Sequence, residues 1–207
     1  TRMRTSPHST VSAGYWYRNI WYQDPTTIDK TDNRVFITVV DELSSTLTTT
    51  TGAAYTGTEA GNDRLRKTDL FAGFAYAYAM ESTSWFTIGN SWLAFWPSDE
   101  RMSQVTWDAG IIQKSGKYTD SFNAKLTYVE DPFYIVRRED RYVATISRST
   151  ERTSLGISAG RYEYRNVASQ HLEHTRHALT GTISHASTQT SKIIYDVSIG
   201  RINDYAP

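Results

Sequence analysis

The chain of 207 residues contains no cysteine, only five prolines and no long run of apolar residues. Without cysteine it has no disulfide scaffold, no thiolate metal site and no thiol nucleophile. Without about 18 consecutive apolar residues it has no candidate transmembrane helix. Its polar and basic first segment, Thr1–Thr10, lacks the apolar core of a signal peptide, so none is expected within the sequence.

Net charge is also missing, because 22 Lys and Arg residues balance 22 Asp and Glu residues. A neutral chain has no overall attraction to nucleic acid, so no nucleic-acid partner is expected. Phosphate-binding loops, nucleophile elbows, zinc-protease helices and calcium loops are not found. The sequence therefore predicts no cofactor and assigns no catalytic residue. It leaves enzymatic activity open but favours its absence.

What the chain does contain is aromatic residues: 14 Tyr, 6 Trp and 7 Phe, despite a mean hydropathy of −0.52. This content is too high for a chain that stays disordered. The high aromatic content and the negative mean hydropathy are compatible because apolar and polar residues alternate along the chain. Between Leu70 and Met80 the even positions are mostly large and apolar, whereas the odd positions include Gly73, Ala75 and Ala77. A period of two residues predicts β-strands.

The same alternation recurs along the chain and predicts roughly ten to twelve strands of about 9 to 12 residues each. Three polar segments, 23–33, 56–68 and 166–176, are predicted to be long loops. No internal repeat is convincing. Residues 1–207 are therefore predicted to form a single all-β domain of antiparallel strands.

Alternation has two physical meanings. In water the apolar face packs a core and the other face is solvated. In a bilayer the apolar face meets lipid, and small or polar side chains face a lumen. Strands of about 9 to 11 residues suffice to cross the hydrocarbon. Tyr and Trp favour the membrane boundary, and candidate interfacial aromatics cluster near the ends of the predicted strands: Trp16, Trp21, Trp85, Trp92, Trp96 and Tyr128.

In these features most of the chain resembles bacterial outer-membrane β-barrels as a general class. The resemblance implies an up-and-down antiparallel barrel in the outer membrane, with the lipid bilayer as its partner and a role as a small channel or structural membrane protein. The alternative is a soluble β-sandwich or other β-rich assembly protein, secreted or part of an extracellular or viral assembly. Such a protein would be a fibre, shell or glycan-binding component with other subunits as partners.

The two interpretations differ in what the large apolar side chains contact. In a soluble sandwich, Phe74, Tyr76, Phe122, Leu126 and Tyr142 would pack against a second sheet. In a membrane barrel the same side chains would form an outer apolar belt.

Charged residues within the predicted strands are candidates for a lumen wall that selects ions. Asp108, Lys125 and Arg161 are the three candidates, because each alternates with apolar neighbours. Other arginines between 137 and 165 are interleaved with Asp and Glu. This interleaving favours cross-strand ion pairs over a continuous basic surface.

Three histidines, His171, His174 and His177, lie within seven residues of sequence. Imidazoles at this density are candidate ligands for zinc, nickel or copper. Arg176 beside them opposes a bound cation, and the segment is predicted to be a loop. A solvated polar loop is therefore the favoured interpretation, with a metal site as the alternative.

Overall fold

The computed structural model describes residues 2–21, 23, 29–79, 81–129, 136–150, 152–167, 169–186 and 192–204. These residues form twelve strands: β1 (Arg2–Arg4), β2 (Ser9–Ile20), β3 (Lys30–Glu42), β4 (Leu47–Ala60), β5 (Asp63–Ala79), β6 (Ser82–Trp96), β7 (Arg101–Ser115), β8 (Tyr118–Val129), β9 (Arg137–Ser149), β10 (Thr153–Arg165), β11 (Leu172–Ala186) and β12 (Lys192–Asp204). Within these ranges, no helix has the length and hydropathy needed to cross a bilayer.

All twelve strands belong to one sheet, in which the spatial order follows the sequence order from β1 to β12. The pairs from β1 to β5 and from β9 to β12 are antiparallel, in a continuous register with one irregularity, beside Tyr164 and Arg165. Short connections between consecutive strands require antiparallel pairing, since a parallel pair needs a long crossover. The predicted all-β, up-and-down antiparallel fold is confirmed, with a strand count at the upper end of the expected range.

Two of the three predicted loops are shorter in the structure, and residues 24–28 of the third, 23–33, lie outside the described residues. Segment 56–68 is mostly strand, because β4 continues to Ala60 and β5 starts at Asp63. Only Gly61 and Asn62 connect them, and Gly61 has a φ of 60°, a conformation that glycine adopts without steric cost. Segment 166–176 also contains the start of β11 at Leu172. Polar and charged residues at the strand ends hid the alternation from the sequence pattern.

By its contacts the chain divides into two compact units. Unit 1 comprises Thr1–Tyr76, Phe86–Trp107 and Tyr128–Arg137, and unit 2 comprises Ala77–Trp85, Asp108–Thr127 and Arg138–Pro207. Strands β5 to β9 contribute residues to both units.

In strands such as β5 and β10 the more exposed face is the apolar one. In β5, Phe74 and Tyr76 are 47% and 45% exposed, whereas the alternate positions Lys67, Asp69 and Ala75 are less accessible. In β10 the exposed positions include Leu155 and Ile157, and the alternate positions are Gly156, Ser158 and Gly160. We call these two surfaces of the strands the exposed face and the shielded face.

Candidate functional site on the shielded face

A polar network lies on the shielded face of unit 2, around Asp108. The Asp108 Oδ1 atom accepts hydrogen bonds from Trp85 Nε1 at 2.8 Å and from Asn123 Nδ2 at 2.9 Å. Its Oδ2 atom lies 3.6 Å from Lys125 Nζ. Arg141 Nη2 donates to Asn123 Oδ1 at 3.1 Å, which connects β9 to the same network.

The structure thus brings two of the predicted lumen residues together. Asp108 and Lys125 come from adjacent strands, and their side chains remain 29% and 33% exposed. Both charges therefore remain partly accessible to water. Sequence reasoning did not single out Asn123, and it counted Arg141 among the interleaved arginines rather than with Asp108. The parity of their positions was the available signal, because alternate residues of a strand share a face.

The position of Trp85 explains why a glycine stands beside this network. A Cβ atom built on Gly110 would overlap the Trp85 indole ring and would lie 2.8 Å from the Phe122 carbonyl oxygen. The indole therefore packs against the backbone of β7 at Gly110 and donates its N–H to Asp108. A ring that packs against glycine can fill the shielded side while its polar end stays hydrogen-bonded.

The third lumen candidate, Arg161, does not join this network. It pairs with Tyr142 in the register of β9 and β10 and belongs to the exposed face. Its guanidinium lies 2.6 Å from Glu163. Arg165 contacts Glu163 at 2.9 Å and Asp140 at 3.3 Å, and Arg138 contacts Asp140 at 3.1 Å. Of these four contacts, only that of Arg165 with Asp140 is a cross-strand ion pair of the expected kind. The other three join residues two positions apart on one strand.

Unit 1 has its own buried charge on the shielded face. Asp32 in β3 has no exposed side-chain surface. Its Oδ2 atom accepts hydrogen bonds from Arg18 Nε at 3.1 Å and Nη2 at 2.6 Å, and its Oδ1 atom accepts one from Thr58 Oγ1 at 2.7 Å. The guanidinium of Arg18 in turn lies 5.3 Å from the centroid of the Trp16 ring. The carboxylate is therefore satisfied by neighbours in register on β2 and β4.

A second pair of charges lies on the shielded face of β5. Lys67 Nζ is 3.4 Å from Asp69 Oδ2, and the Ser91 hydroxyl donates to Asp69 Oδ1. Buried carboxylates need such partners, since an unpaired charge out of water costs several kcal/mol. Both units therefore carry neutralised polar clusters where a soluble sheet would carry its apolar core.

The three histidines are not gathered in one place. His171 precedes β11, and β11 contains the other two at positions of opposite parity. His174 stacks on Tyr164 with ring centroids 4.4 Å apart, whereas His177 is exposed and pairs in register with Arg161. In the described part of the chain no group of three or more His, Cys, Asp or Glu residues is arranged to hold a metal ion.

The six candidate interfacial aromatics do not share one environment: three are exposed, two lie on the shielded face and one is buried. Trp21, Trp92 and Trp96 are exposed. Trp16 and Trp85 belong to the shielded face, where Trp16 lies near Arg18 and Trp85 binds Asp108. Tyr128 is buried. Of the six, only the first three are largely exposed.

No family model matches the chain, and no curated protein matches it either. Among solved structures, it is similar to a protein described as "CymD monoaromatic hydrocarbon channel", with a TM-score of 0.47 and 10% sequence identity. The match covers 94% of this chain and 75% of that one.

Proposed function

We propose that the chain forms an outer-membrane β-barrel with a polar lumen, through which small polar solutes or ions pass. The lipid bilayer would be its main partner. The observation that carries this proposal is the inverted polarity of the sheet. Its exposed face is apolar, and its shielded face holds charged and small residues.

The inversion is clearest for the residues that distinguish the two interpretations of the sequence. Phe74, Tyr76, Phe122 and Tyr142 are between 38% and 47% exposed, and Leu126 is partly exposed. All twelve strands belong to one sheet, so the described residues include no second sheet that would cover these side chains. A continuous exposed apolar surface of this kind is rare on a soluble monomer and indicates a contact with membrane or protein.

Strand length supports the bilayer as that contact. From β2 to β12 the strands have 12 to 17 residues, and about 9 to 11 tilted residues cross the hydrocarbon core. The surplus residues provide polar ends. In β5, Arg64, Arg66 and Thr68 precede the apolar positions that begin at Leu70.

The polar lumen is the second part of the proposal. Asp108 and Lys125 are close together and partly accessible, so the lumen wall near them presents both signs of charge. A wall of this kind favours hydrated, polar solutes over apolar ones, since each charge is best solvated by water or by its partner.

The absence of cysteine allows a direct test. A single cysteine is introduced at Ile157 on the exposed face of β10, or at its neighbour Ser158 on the shielded face, and is labelled with a small fluorophore. In vesicles of lipids with brominated acyl chains, we expect strong quenching at position 157 and little at position 158. Equal weak quenching at both positions, in protein that stays monodisperse without detergent, would contradict the membrane role.

Transport is tested on the same preparation in planar bilayers. The wild-type chain is expected to conduct ions, and Lys125→Gln is expected to shift the reversal potential in a salt gradient towards cation preference. Membrane insertion without conductance or solute release would leave a structural membrane protein and exclude the channel.

A further inference from the structure

A groove on the exposed side of unit 1 lies where β5 begins, β6 ends and β7 begins. It has a volume of about 430 Å³ and is lined by Arg64, Arg66, Ala94, Phe95, Trp96, Asp99 and Arg101. Three guanidinium groups thus face one carboxylate among its lining residues. The groove is open to solvent, and Trp96 is 56% exposed.

The arginines of the groove are poorly neutralised. Arg64 has one carboxylate contact, 3.4 Å from Glu59, and both of those side chains are more than half exposed, so the pair contributes little. Arg66 and Arg101 have no ion pair with any described residue. Arg138 at the start of β9, by contrast, contacts a carboxylate at 3.1 Å.

The groove is continuous with the apolar part of the exposed face. Arg66 precedes Leu70 by four residues in β5, and Arg101 precedes Val105 by four residues in β7. This separation corresponds to about 13 Å along a strand. In β6, Ala94 and Trp96 follow Trp92 on the same face. Positive charge, an exposed indole and an apolar surface therefore succeed one another along three neighbouring strands.

We propose that this groove binds the phosphate-bearing headgroup of a lipid, whose acyl chains lie along the exposed apolar positions of β5 to β7. Guanidinium groups recognise phosphate through paired charge-assisted hydrogen bonds, and an indole is favoured at the headgroup level. The proposal rests on the proposed membrane function, because the acyl chains need an apolar belt in contact with lipid.

The test uses a fluorophore on Val105→Cys, close to the groove, and the same fluorophore on Ile157→Cys as a reporter outside it. Vesicles contain phosphatidylcholine and phosphatidylglycerol, and either one or the other has brominated chains. At position 105 we expect stronger quenching by the brominated anionic lipid. We define the lipid preference as the ratio of quenching at position 105 by brominated phosphatidylglycerol to that by brominated phosphatidylcholine. This preference should fall about fivefold in each of Arg66→Gln and Arg101→Gln, because each basic group contributes about 1 kcal/mol near an anionic surface.

Arg148→Gln is the matched control, since Arg148 is also an exposed strand arginine and lies outside the groove. It should leave the preference at position 105 unchanged. The preference should also persist when inorganic phosphate replaces chloride at equal ionic strength. Loss of the preference in phosphate would mean that the site takes a free anion and would overturn the lipid assignment.

The two proposals fail in different ways. If both reporters are quenched but position 105 shows no lipid preference, the groove proposal is overturned and the membrane role stands. If neither reporter is quenched by any brominated lipid, the membrane role itself fails.

Discussion

Replacing Gly110 by alanine tests whether the indole of Trp85 organises the shielded face of unit 2. The added methyl group would overlap the Trp85 ring and approach the Phe122 carbonyl oxygen, which belongs to the backbone and cannot easily move. The ring must therefore shift, and the shift takes its N–H away from Asp108.

The expected magnitude follows from two contributions. Inserting a methyl group into a packed site costs about 1 to 3 kcal/mol. Losing a hydrogen bond to a charged group costs about 1.5 to 3 kcal/mol when the acceptor is buried. Asp108 is 29% exposed, so water will replace part of that bond. We therefore expect Gly110→Ala to lower the free energy of unfolding by about 2 to 4 kcal/mol.

Gly156→Ala is the matched control, because Gly156 is also on the shielded face and its added Cβ would lie no closer than 3.7 Å to its neighbours. For Gly156→Ala we expect no decrease in the free energy of unfolding, and an increase of up to about 1 kcal/mol because the unfolded chain becomes less flexible. The assay is reversible urea unfolding in the presence of lipid vesicles, followed by tryptophan fluorescence. If the two variants differ by less than about 0.5 kcal/mol, within the usual scatter of surface substitutions, the packing of Trp85 against Gly110 is not what holds this network.

Two further predictions concern buried charge and the exposed face. Asp32→Ala removes the carboxylate that accepts the hydrogen bond of the buried Thr58 hydroxyl, and should lower the free energy of unfolding by about 1 to 3 kcal/mol in the same assay. Asp41→Ala, at a strand end that is partly exposed, should lower it clearly less, and equal losses would contradict the role of burial. Ile157→Arg should lower the free energy of unfolding by about 2 to 4 kcal/mol if the exposed face of β10 contacts the bilayer interior. In a solvated sheet the same substitution should change stability by less than about 0.5 kcal/mol, so a neutral result would refute the lipid contact, with Ile157→Leu as the control for side-chain volume.

Much of the local structure was predictable from residue order. Period-two alternation in segments such as 70–80 and 155–160 identified strands and sorted their side chains into two sets, since strand geometry alone fixes which residues share a face. It failed in 56–68, where Thr58, Glu59 and Arg64 gave a polar run that is nevertheless strand. The hydrogen bonds of a ladder do not depend on side-chain polarity, so a polar strand end resembles a loop in sequence.

Partnership between distant residues was not predictable in the same way. Asp108 and Lys125 were singled out individually, but their approach depends on the pairing of β7 with β8. Arg161 was grouped with them as a charge among apolar neighbours. It shares the parity of Leu155 and Ile157, however, and therefore lies on the exposed face. A one-residue difference in parity reverses the side of the sheet on which a charge lies.

The sequence by itself determined that the protein is built from amphipathic strands, one half-sequence apolar and aromatic and the other small and polar, without cysteine or helix-forming periodicity. Only the tertiary structure decided which half is exposed. That choice depends on how the sheet buries its faces, which alternation leaves undefined. Here the buried carboxylate of Asp32 is satisfied by Arg18 and Thr58, whereas the apolar side chains of Phe74 and Ile157 are 47% and 57% exposed.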